Sequence, residues 1–171
     1  MRALLSLAFC ALAFVAFAPV ASAQQKGERA PASVDYTGFQ NLTREVERYR
    51  ENRLVSLADF QRMAGEPSTI ILDARSANAF REGHIDGAIS MPLTDFTEPA
   101  LRETLRDPNL RILIYCNNNF SNNRAPVVLK RLELALNIQT FINLYGYGYR
   151  NVYELADTVD FNDPEVRWVR A

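Results

Sequence analysis

The sequence of 171 residues is poor in cysteine and histidine, with two cysteines, Cys10 and Cys116, and one histidine, His84. So few thiol and imidazole groups do not supply a zinc ligand set, and we expect no metal and no other cofactor. Positive charge is not in excess either, because 19 Lys and Arg side chains stand against 20 Asp and Glu. This balance gives the chain no general electrostatic attraction to nucleic acid.

One long apolar run without charge is present, at the beginning of the sequence. Arg2 is followed by apolar residues from Ala3 to Phe17 and then by the small residues Ala21-Ser22-Ala23. This order is typical of a secretory signal peptide cleaved after Ala23. The run is shorter than the roughly 20 residues that a membrane span needs, although an uncleaved anchor is the alternative. We expect residues 1–23 to be removed and the mature protein to be periplasmic or secreted, with no membrane segment.

Cleavage would take 23 of the 171 residues and leave 148, with Cys116 as the sole cysteine. This length fits one domain with a hydrophobic core of ordinary size. No intramolecular disulfide can form in such a chain. Because an oxidising compartment attacks exposed thiols, a lone cysteine there is either buried or used chemically.

Patterns of apolar and polar residues divide the mature chain into four parts. A polar stretch is typical of a linker, and the apolar residues Phe39, Leu42 and Val46 that follow are at helical spacing. The predicted parts are a linker at 24–35, an N-terminal helix at 36–50, a domain at 52–157 and a C-terminal tail at 158–171.

Short apolar runs alternate with helical patterns inside the predicted domain. Strands are predicted at 54–55, 69–72, 88–91, 111–115 and 139–144, and helices at 57–64, 76–82, 98–105, 125–136 and 149–156. This alternation predicts an α/β fold with a central parallel five-stranded sheet and helices on both faces. Ligands of such sheets bind beyond the carboxyl ends of the strands, where Asp73 and Cys116 are expected.

A polar loop rich in asparagine follows Cys116 and precedes the helix predicted to begin near Ala125. Free N–H groups of the loop and of the helix start, with the charge of Arg124, would lower the thiol pKa and hold a thiolate or an oxyanion. A buried, inert cysteine is the alternative. The candidate substrate-binding residues are Asn117, Asn118, Asn119, Phe120, Ser121, Asn122, Asn123, Arg124 and Arg75.

Two segments resemble the rhodanese-like domain family. Ile71-Leu72-Asp73-Ala74-Arg75 followed by Phe80-Arg81-Glu82-Gly83-His84-Ile85-Asp86-Gly87-Ala88-Ile89 is similar to its first half. Ile114-Tyr115-Cys116 and Ile142-Asn143-Leu144-Tyr145-Gly146 are similar to its second half, in matching order. The resemblance covers about 52–157 and implies a sulfurtransferase-type fold. It further implies that Cys116 is a nucleophile that accepts a sulfane sulfur as a persulfide and that 117–124 form its cradle.

The loop departs from the family pattern. Seven residues separate Cys116 from Arg124, and the loop has no glycine. It is therefore longer than the loops of sulfurtransferases and than those of phosphatase and arsenate-reductase relatives. A longer loop predicts a wider pocket and leaves the sulfur donor open.

Three polar residues near the predicted site have structural alternatives. The resemblance implies that His84 lies in a turn and serves local hydrogen bonding, and a general base for the thiol is the competing role. Arg75 either attracts an anionic substrate or forms a structural ion pair with Asp73. We class Asp73 and His84 as structural residues near the site.

The leading hypothesis is an exported sulfurtransferase or persulfide carrier that acts through Cys116. Its expected partners are a small anionic sulfur donor and either a thiol or a protein acceptor. The alternatives are a non-catalytic rhodanese-fold binding module and a phosphatase- or arsenate-reductase-like enzyme. The sequence does not give the oligomeric state.

Overall fold

The structure is a computed structural model that describes residues 30–170. The predicted signal peptide and most of the predicted linker lie outside the described residues. Residues 30–34 contain no helix or strand, and the compact unit considered below begins at Asp35. No helix within 30–170 is long and apolar enough to cross a membrane.

The described chain contains five α-helices and seven β-strands. The helices are α1 (Tyr36–Arg50), α2 (Leu57–Ala64), α3 (Ala77–Glu82), α4 (Glu98–Leu105) and α5 (Leu136–Gly146). The strands are β1 (Leu54–Val55), β2 (Thr69–Asp73), β3 (His84–Ile85), β4 (Ala88–Ser90), β5 (Arg111–Tyr115), β6 (Val152–Leu155) and β7 (Trp168–Val169). Short 3₁₀ turns connect several of them.

Five strands form one parallel sheet in the order β1-β6-β5-β2-β4. The central strand β5 pairs with β2 at Leu72–Ile114 and with β6 at Ile114–Glu154. The strands β3 and β7 form a separate antiparallel pair. The α/β fold with a five-stranded parallel sheet, predicted from the sequence, is confirmed.

Each face of the sheet is covered by its own hydrophobic cluster, since successive side chains of a strand point to opposite faces. Ile112 and Ile114 of β5 face the cluster that α1, α4 and α5 cover. Leu113 and Tyr115 face the cluster that α2 and the C-terminal segment cover. β5 is therefore buried on both sides, which explains its uninterrupted apolar sequence.

In the first half of the domain every predicted helix and strand is present, and the two-residue strand β3 is an element that the sequence analysis did not predict. Ser56, Ser76 and Thr97 accept hydrogen bonds from the backbone N–H three residues later and so begin α2, α3 and α4. The helix predicted over 36–50 is present as α1, with Asp35 as its N-cap.

The second half differs from the prediction. The helix predicted over 125–136 is wrong, because 120–131 form an irregular loop and the helix α5 begins at Leu136. The strand predicted at 139–144 and the helix predicted at 149–156 are also wrong: the first lies inside α5, and the second contains strand β6.

Asparagine side chains explain why the loop does not become a helix. Asn117 Nδ2 donates to the Val128 carbonyl at 2.8 Å, and Asn118 binds Lys130 in both directions, at 2.8 and 3.0 Å. These amides take the backbone groups that a helix would pair internally. The loop is thereby fixed against the residues that follow Cys116.

Tertiary packing explains the helix α5. Its residues include β-branched Ile138, Thr140 and Ile142, a pattern that favours a strand in isolation. The helix lies between the sheet and α1, so it buries side chains around much of its circumference. Burial of this kind overrides local propensity.

The C-terminal tail packs on the domain. Residues Trp168–Val169 form β7, which pairs with β3. The indole of Trp168 contacts Phe120 at 5.0 Å and Phe161 at 5.5 Å between ring centroids. The tail is thus part of the hydrophobic cluster on the face opposite α1.

Candidate functional site

Cys116 follows the central strand β5 directly and is 1% exposed. Its Sγ accepts a hydrogen bond from the Asn118 N–H at 3.4 Å. The backbone N–H groups of Leu136 and Asn137 lie close enough to Sγ to lower the pKa of the thiol. The sulfur therefore lies at the carboxyl edge of the sheet, hydrogen-bonded to one backbone N–H group and near two more.

Two of these donors belong to the first turn of α5. Helix starts leave their first N–H groups without intrahelical partners. Within the described chain no side chain caps α5, whose N-cap is Ala135. The free N–H groups and the helix dipole thus face Sγ and favour negative charge on it. The sequence predicts that the helix beginning near Ala125 starts beside the thiol. In the structure the helix that starts there is α5, which begins at Leu136.

The thiol pKa is raised above its ordinary value, opposite to the expectation from the sequence. Burial is the largest cause, since it disfavours the thiolate, and the nearby Glu154 carboxylate adds to the effect. The N–H groups of Asn137, Asn118 and Leu136 lower the pKa without offsetting burial. Resting Cys116 is therefore a protonated thiol at neutral pH.

Cys116 lines a cavity of about 540 Å³. This volume lies within the range of about 300–1,000 Å³ that is common for small-molecule sites. Helix α1 forms one wall and α5 another, while β6 contributes Glu154 to the lining. The other lining residues are Thr43, Val46, Glu47, Arg50, Leu54, Asn118, Asn119, Leu132, Ala135, Asn137, Ile138, Phe141, Ile142, Leu155 and Ala156.

A polar network connects the Cys116 backbone to the wall of the cavity. Asn119 Oδ1 accepts the Cys116 N–H at 2.9 Å and the Asn137 Nδ2 at 3.0 Å. Asn137 Nδ2 also donates to Glu154 Oε1 at 3.1 Å. Glu154 in turn accepts two hydrogen bonds from Arg50, at 2.5 and 2.7 Å. The network fixes the cysteine relative to α1, α5 and β6.

Three of the residues predicted from the sequence come together in the cavity: Cys116, Asn118 and Asn119. The rest of the loop points elsewhere. Phe120 is buried in the hydrophobic cluster, and Asn122 and Asn123 bond to the C-terminal segment and to Leu129. The predicted members that do not line the cavity are Asn117, Phe120, Ser121, Asn122, Asn123, Arg124 and Arg75.

Arg124 does not close the loop over the thiol. Its guanidinium lies 5.1 Å from the ring centroid of Phe161. Its charge lowers the pKa of Asp160, after larger effects of hydrogen bonds from Asn122 and Asn162. The expectation failed because α5 begins at Leu136, which leaves Arg124 in the middle of the loop.

Asp73 and Arg75 form a buried ion pair, with Nη2 and Oδ2 2.6 Å apart. Arg75 also donates to the Gly83 carbonyl at 2.7 Å, and the Tyr115 hydroxyl donates to Asp73 Oδ2 at 2.6 Å. Arg75 is 2% exposed. The pair therefore ties β2, β3 and β5 together, which is the structural alternative considered for it.

His84 has a local role. Its Nδ1 lies 2.9 Å from the Phe80 carbonyl, and its ring stacks on Phe80 with centroids 3.7 Å apart. It does not line the Cys116 cavity. A general-base role for this histidine has no geometric support among the described residues.

The sequence interpretation missed four residues of the site: Glu47, Arg50, Asn137 and Glu154. Arg50 and Glu47 lie on α1, outside the segments that carry the family resemblance. Glu154 was placed in a helix, and Asn137 at a helix-to-strand junction. A charged residue inside the apolar run Val152-Tyr153-Glu154-Leu155 was the available signal, but it needed the correct strand assignment.

The family model for the Rhodanese-like domain matches residues 56–158 of this chain. The match contains Cys116 and the network residues Asn119, Asn137 and Glu154. It ends before β7 and begins after α1. No curated protein matches the chain.

Several solved structures are similar to this chain at low identity. BH2092 from Bacillus halodurans is 21% identical, covers 70% of this chain and 77% of its own, and has a TM-score of 0.48. Rhodanese with anions from E. coli is 20% identical. The match covers 60% of this chain and 99% of that protein, with a TM-score of 0.40. Thiosulfate sulfurtransferase from Pseudomonas aeruginosa is 20% identical. The match covers 72% of this chain and 21% of that protein, with a TM-score of 0.45. Because the family model covers more than half of its length, this chain belongs to the rhodanese-like domain family.

Proposed function

We propose that the protein is a sulfurtransferase or persulfide carrier in which Cys116 holds the transferred sulfur. The observation that carries the proposal is the position of Cys116: it lines a cavity, its Sγ accepts a hydrogen bond from the Asn118 N–H, and two N–H groups at the start of α5 lower its pKa. Such donors stabilise an anionic sulfur without any positively charged side chain.

The loading step needs the Cys116 thiolate. The thiolate attacks the terminal sulfur of a sulfane donor, a new S–S bond forms, and the bond to the rest of the donor breaks. The leaving group takes that electron pair. Because a persulfide is a stronger acid than its parent thiol, the same N–H cradle then holds the anionic persulfide.

The discharge step reverses the roles. The thiolate of an acceptor attacks the outer sulfur of the persulfide, and the S–S bond to Sγ breaks. Sγ keeps the electron pair and becomes a thiolate again. The chain's contribution is position and a site shielded from water, since Cys116 is 1% exposed.

We further propose that this chemistry takes place outside the cytoplasm. The support is the charged, apolar and small-residue order of residues 1–23, which is typical of a cleaved signal peptide. Burial of the sole remaining cysteine fits an oxidising compartment, because it limits uncontrolled oxidation.

Intact-mass measurement tests the sulfur-transfer proposal. The chain 24–171 is incubated with polysulfide or thiosulfate, freed of reagent and weighed beside Cys116→Ser. We expect the wild-type chain to gain the mass of one sulfur atom, and the serine variant to gain none. No gain in the wild type, or an equal gain in both, overturns the proposal.

A non-catalytic binding module is the second candidate, and one observation favours it. Burial and Glu154 raise the thiol pKa, which weakens Cys116 as a nucleophile at neutral pH. The absence of any persulfide in the mass experiment would select this candidate. The phosphatase-like hypothesis depended on Arg124, whose position over Phe161 removes its support.

A further inference from the structure

The charges around the Cys116 cavity differ from those expected for a site that takes small anions. The charged side chains in its lining are Glu47, Arg50 and Glu154. Arg50 is committed to Glu154 through two hydrogen bonds, of 2.5 and 2.7 Å. The pair is neutral, and Glu47, an exposed residue, adds a negative charge. A dianion such as thiosulfate therefore meets no uncommitted positive side chain in this lining.

The entrance of the cavity is apolar. Leu132 is 81% exposed, and Leu54 and Ile138 are each 39% exposed, although all three line the cavity. Exposed large apolar side chains that border a cavity mark a site for apolar ligands. Val46, Phe141 and Leu155 continue the apolar lining inside.

A buried acceptor in the lining has no partner. Asn137 is 5% exposed, and its Oδ1 forms no hydrogen bond with any residue from 30 to 170. Its Nδ2 is committed to Asn119 and Glu154. This oxygen is enclosed, and its partial negative charge disfavours a carboxylate or sulfonate nearby.

We propose that the sulfur partner of Cys116 is an organic thiol, or its persulfide, that has an apolar body and no net negative charge. This inference rests on the proposed sulfur-transfer function and specifies its substrate class. The cavity volume of about 540 Å³ accommodates such a molecule, whereas thiosulfate or cyanide would fill a small part of it.

The partner enters the reaction as the acceptor of the sulfur. Its thiolate attacks the outer sulfur of the Cys116 persulfide, the new S–S bond forms, and the bond to Sγ breaks. The electron pair stays on Sγ, which takes up the proton that the acceptor thiol released. The apolar body contacts Leu132 and Ile138 of the cavity lining.

The test uses the reactivity of the unloaded thiol, so that it does not require the protein to form a persulfide. Methanethiosulfonate reagents convert Cys116 to a mixed disulfide and release methanesulfinate. Reagents with a sulfonate, an uncharged methyl, a benzyl and an ammonium group are compared. Each rate is divided by the rate of the same reagent with free cysteine.

We expect the ammonium and benzyl reagents to exceed the sulfonate reagent at least fivefold in these normalised rates. Glu47→Lys should reduce the ratio of the ammonium rate to the sulfonate rate about threefold or more, because it reverses the exposed charge. Glu103→Lys makes the same change on α4, at a residue that does not line the cavity, and should leave the gap unchanged.

The apolar entrance has its own matched pair in one 3₁₀ turn. Leu132 lines the cavity, whereas Leu134, 52% exposed, does not. Leu132→Asn should slow the benzyl reagent about threefold relative to the methyl reagent, and Leu134→Asn should not.

Equal normalised rates for all reagents, or a faster sulfonate reagent, overturn the inference about substrate class. The inference is also overturned if Glu47→Lys and Glu103→Lys change the rates equally, or if Leu132→Asn and Leu134→Asn do. Failure of the proposed function is a separate result, because it appears in the mass experiment as a missing persulfide. A protein that loads sulfur and still prefers the sulfonate keeps its function and loses this substrate class.

Discussion

Cys116 is a thiol held between two opposing effects. Burial and the Glu154 carboxylate favour the protonated form, while three backbone N–H groups favour the anion. The first effect dominates in the resting protein. Under the proposed function, such a site would limit side reactions of the free thiol and favour the sulfur-loaded form, whose anion is easier to produce.

The first prediction concerns the pH dependence of this thiol. Alkylation of Cys116 by iodoacetamide should rise with pH to a midpoint above the ordinary thiol pKa of about 8.5. Glu154→Gln should shift the midpoint downward, since it removes a carboxylate and leaves Arg50 unpaired beside the site. Rates measured from pH 6 to about 11 give the midpoint. A wild-type midpoint below the ordinary value contradicts the structure, and Glu103→Gln serves as the control.

The second prediction concerns the buried ion pair of Asp73 and Arg75. Arg75→Met should lower the free energy of unfolding by about 3–5 kcal/mol, because it leaves a buried carboxylate without its partner. Urea denaturation measures the loss. Arg102→Met breaks the exposed Arg102–Glu98 pair and should cost far less. Similar losses in both variants would mean that Arg75 is not buried as described.

At the scale of elements, helix α1 belongs to the domain although the family match begins after it. Val46 of α1 is 3% exposed and packs in the same cluster as Phe141 and Leu144 of α5. The ion pair of Arg50 and Glu154 joins α1 to β6. The helix therefore supplies both part of the core and a wall of the cavity.

The third prediction tests this role of α1. Val46→Ala should destabilise the protein by about 2 kcal/mol, from the lost methyl groups and the space they leave. Val34→Ala makes the same change at a side chain that is 74% exposed and should have no measurable effect. Denaturation curves of the two variants compare them directly, and equal curves would contradict the packing of α1.

The fourth prediction tests the packing of the C-terminal segment. A Cβ at Gly83 would overlap the indole of Trp168, whereas one at Gly65 has no neighbour closer than 3.5 Å. Gly83→Ala should therefore destabilise the protein by about 1–3 kcal/mol, and Gly65→Ala should not. If Gly83→Ala is neutral while Trp168 fluorescence is unchanged, the segment does not pack as described.

Sequence patterns predicted the elements up to β5, except the two-residue strand β3, because their signals are local. Ser56, Ser76 and Thr97 are side-chain caps, and the apolar runs at 69–72 and 111–115 mark buried strands. The elements after Cys116 depend on distant contacts. Asn117 and Asn118 bond to residues ten or more positions away, and the burial that makes 136–146 helical comes from the sheet and α1. Local sequence patterns contain neither kind of contact.

The same difference explains the outcome for the site. Cys116 and its place at the end of a central strand follow from local patterns. Its cradle does not, because the N–H donors of Leu136 and Asn137 depend on where α5 begins. Arg124 was a reasonable candidate cation for a short loop, and the longer loop carries it to Phe161.

At the scale of the whole molecule, segments before and after the family match cover the two faces of the rhodanese-like sheet. Helix α1 covers one face and forms a wall of the cavity, and the segment ending in β7 covers the other. Of these two segments, α1 lines the cavity beside the thiol, whose exposed lining includes Leu54, Leu132 and Ile138. Under the proposed function, this arrangement would favour sulfur exchange with an organic partner over the capture of a small dianion.

The most direct test of the account is an intact-mass record of one loading and discharge cycle. Polysulfide should add one sulfur atom to the protein, peptide analysis should locate it on Cys116, and an uncharged or positively charged thiol should then restore the original mass. A sulfur that never appears on Cys116, or one that such a thiol does not remove, would contradict the central claim.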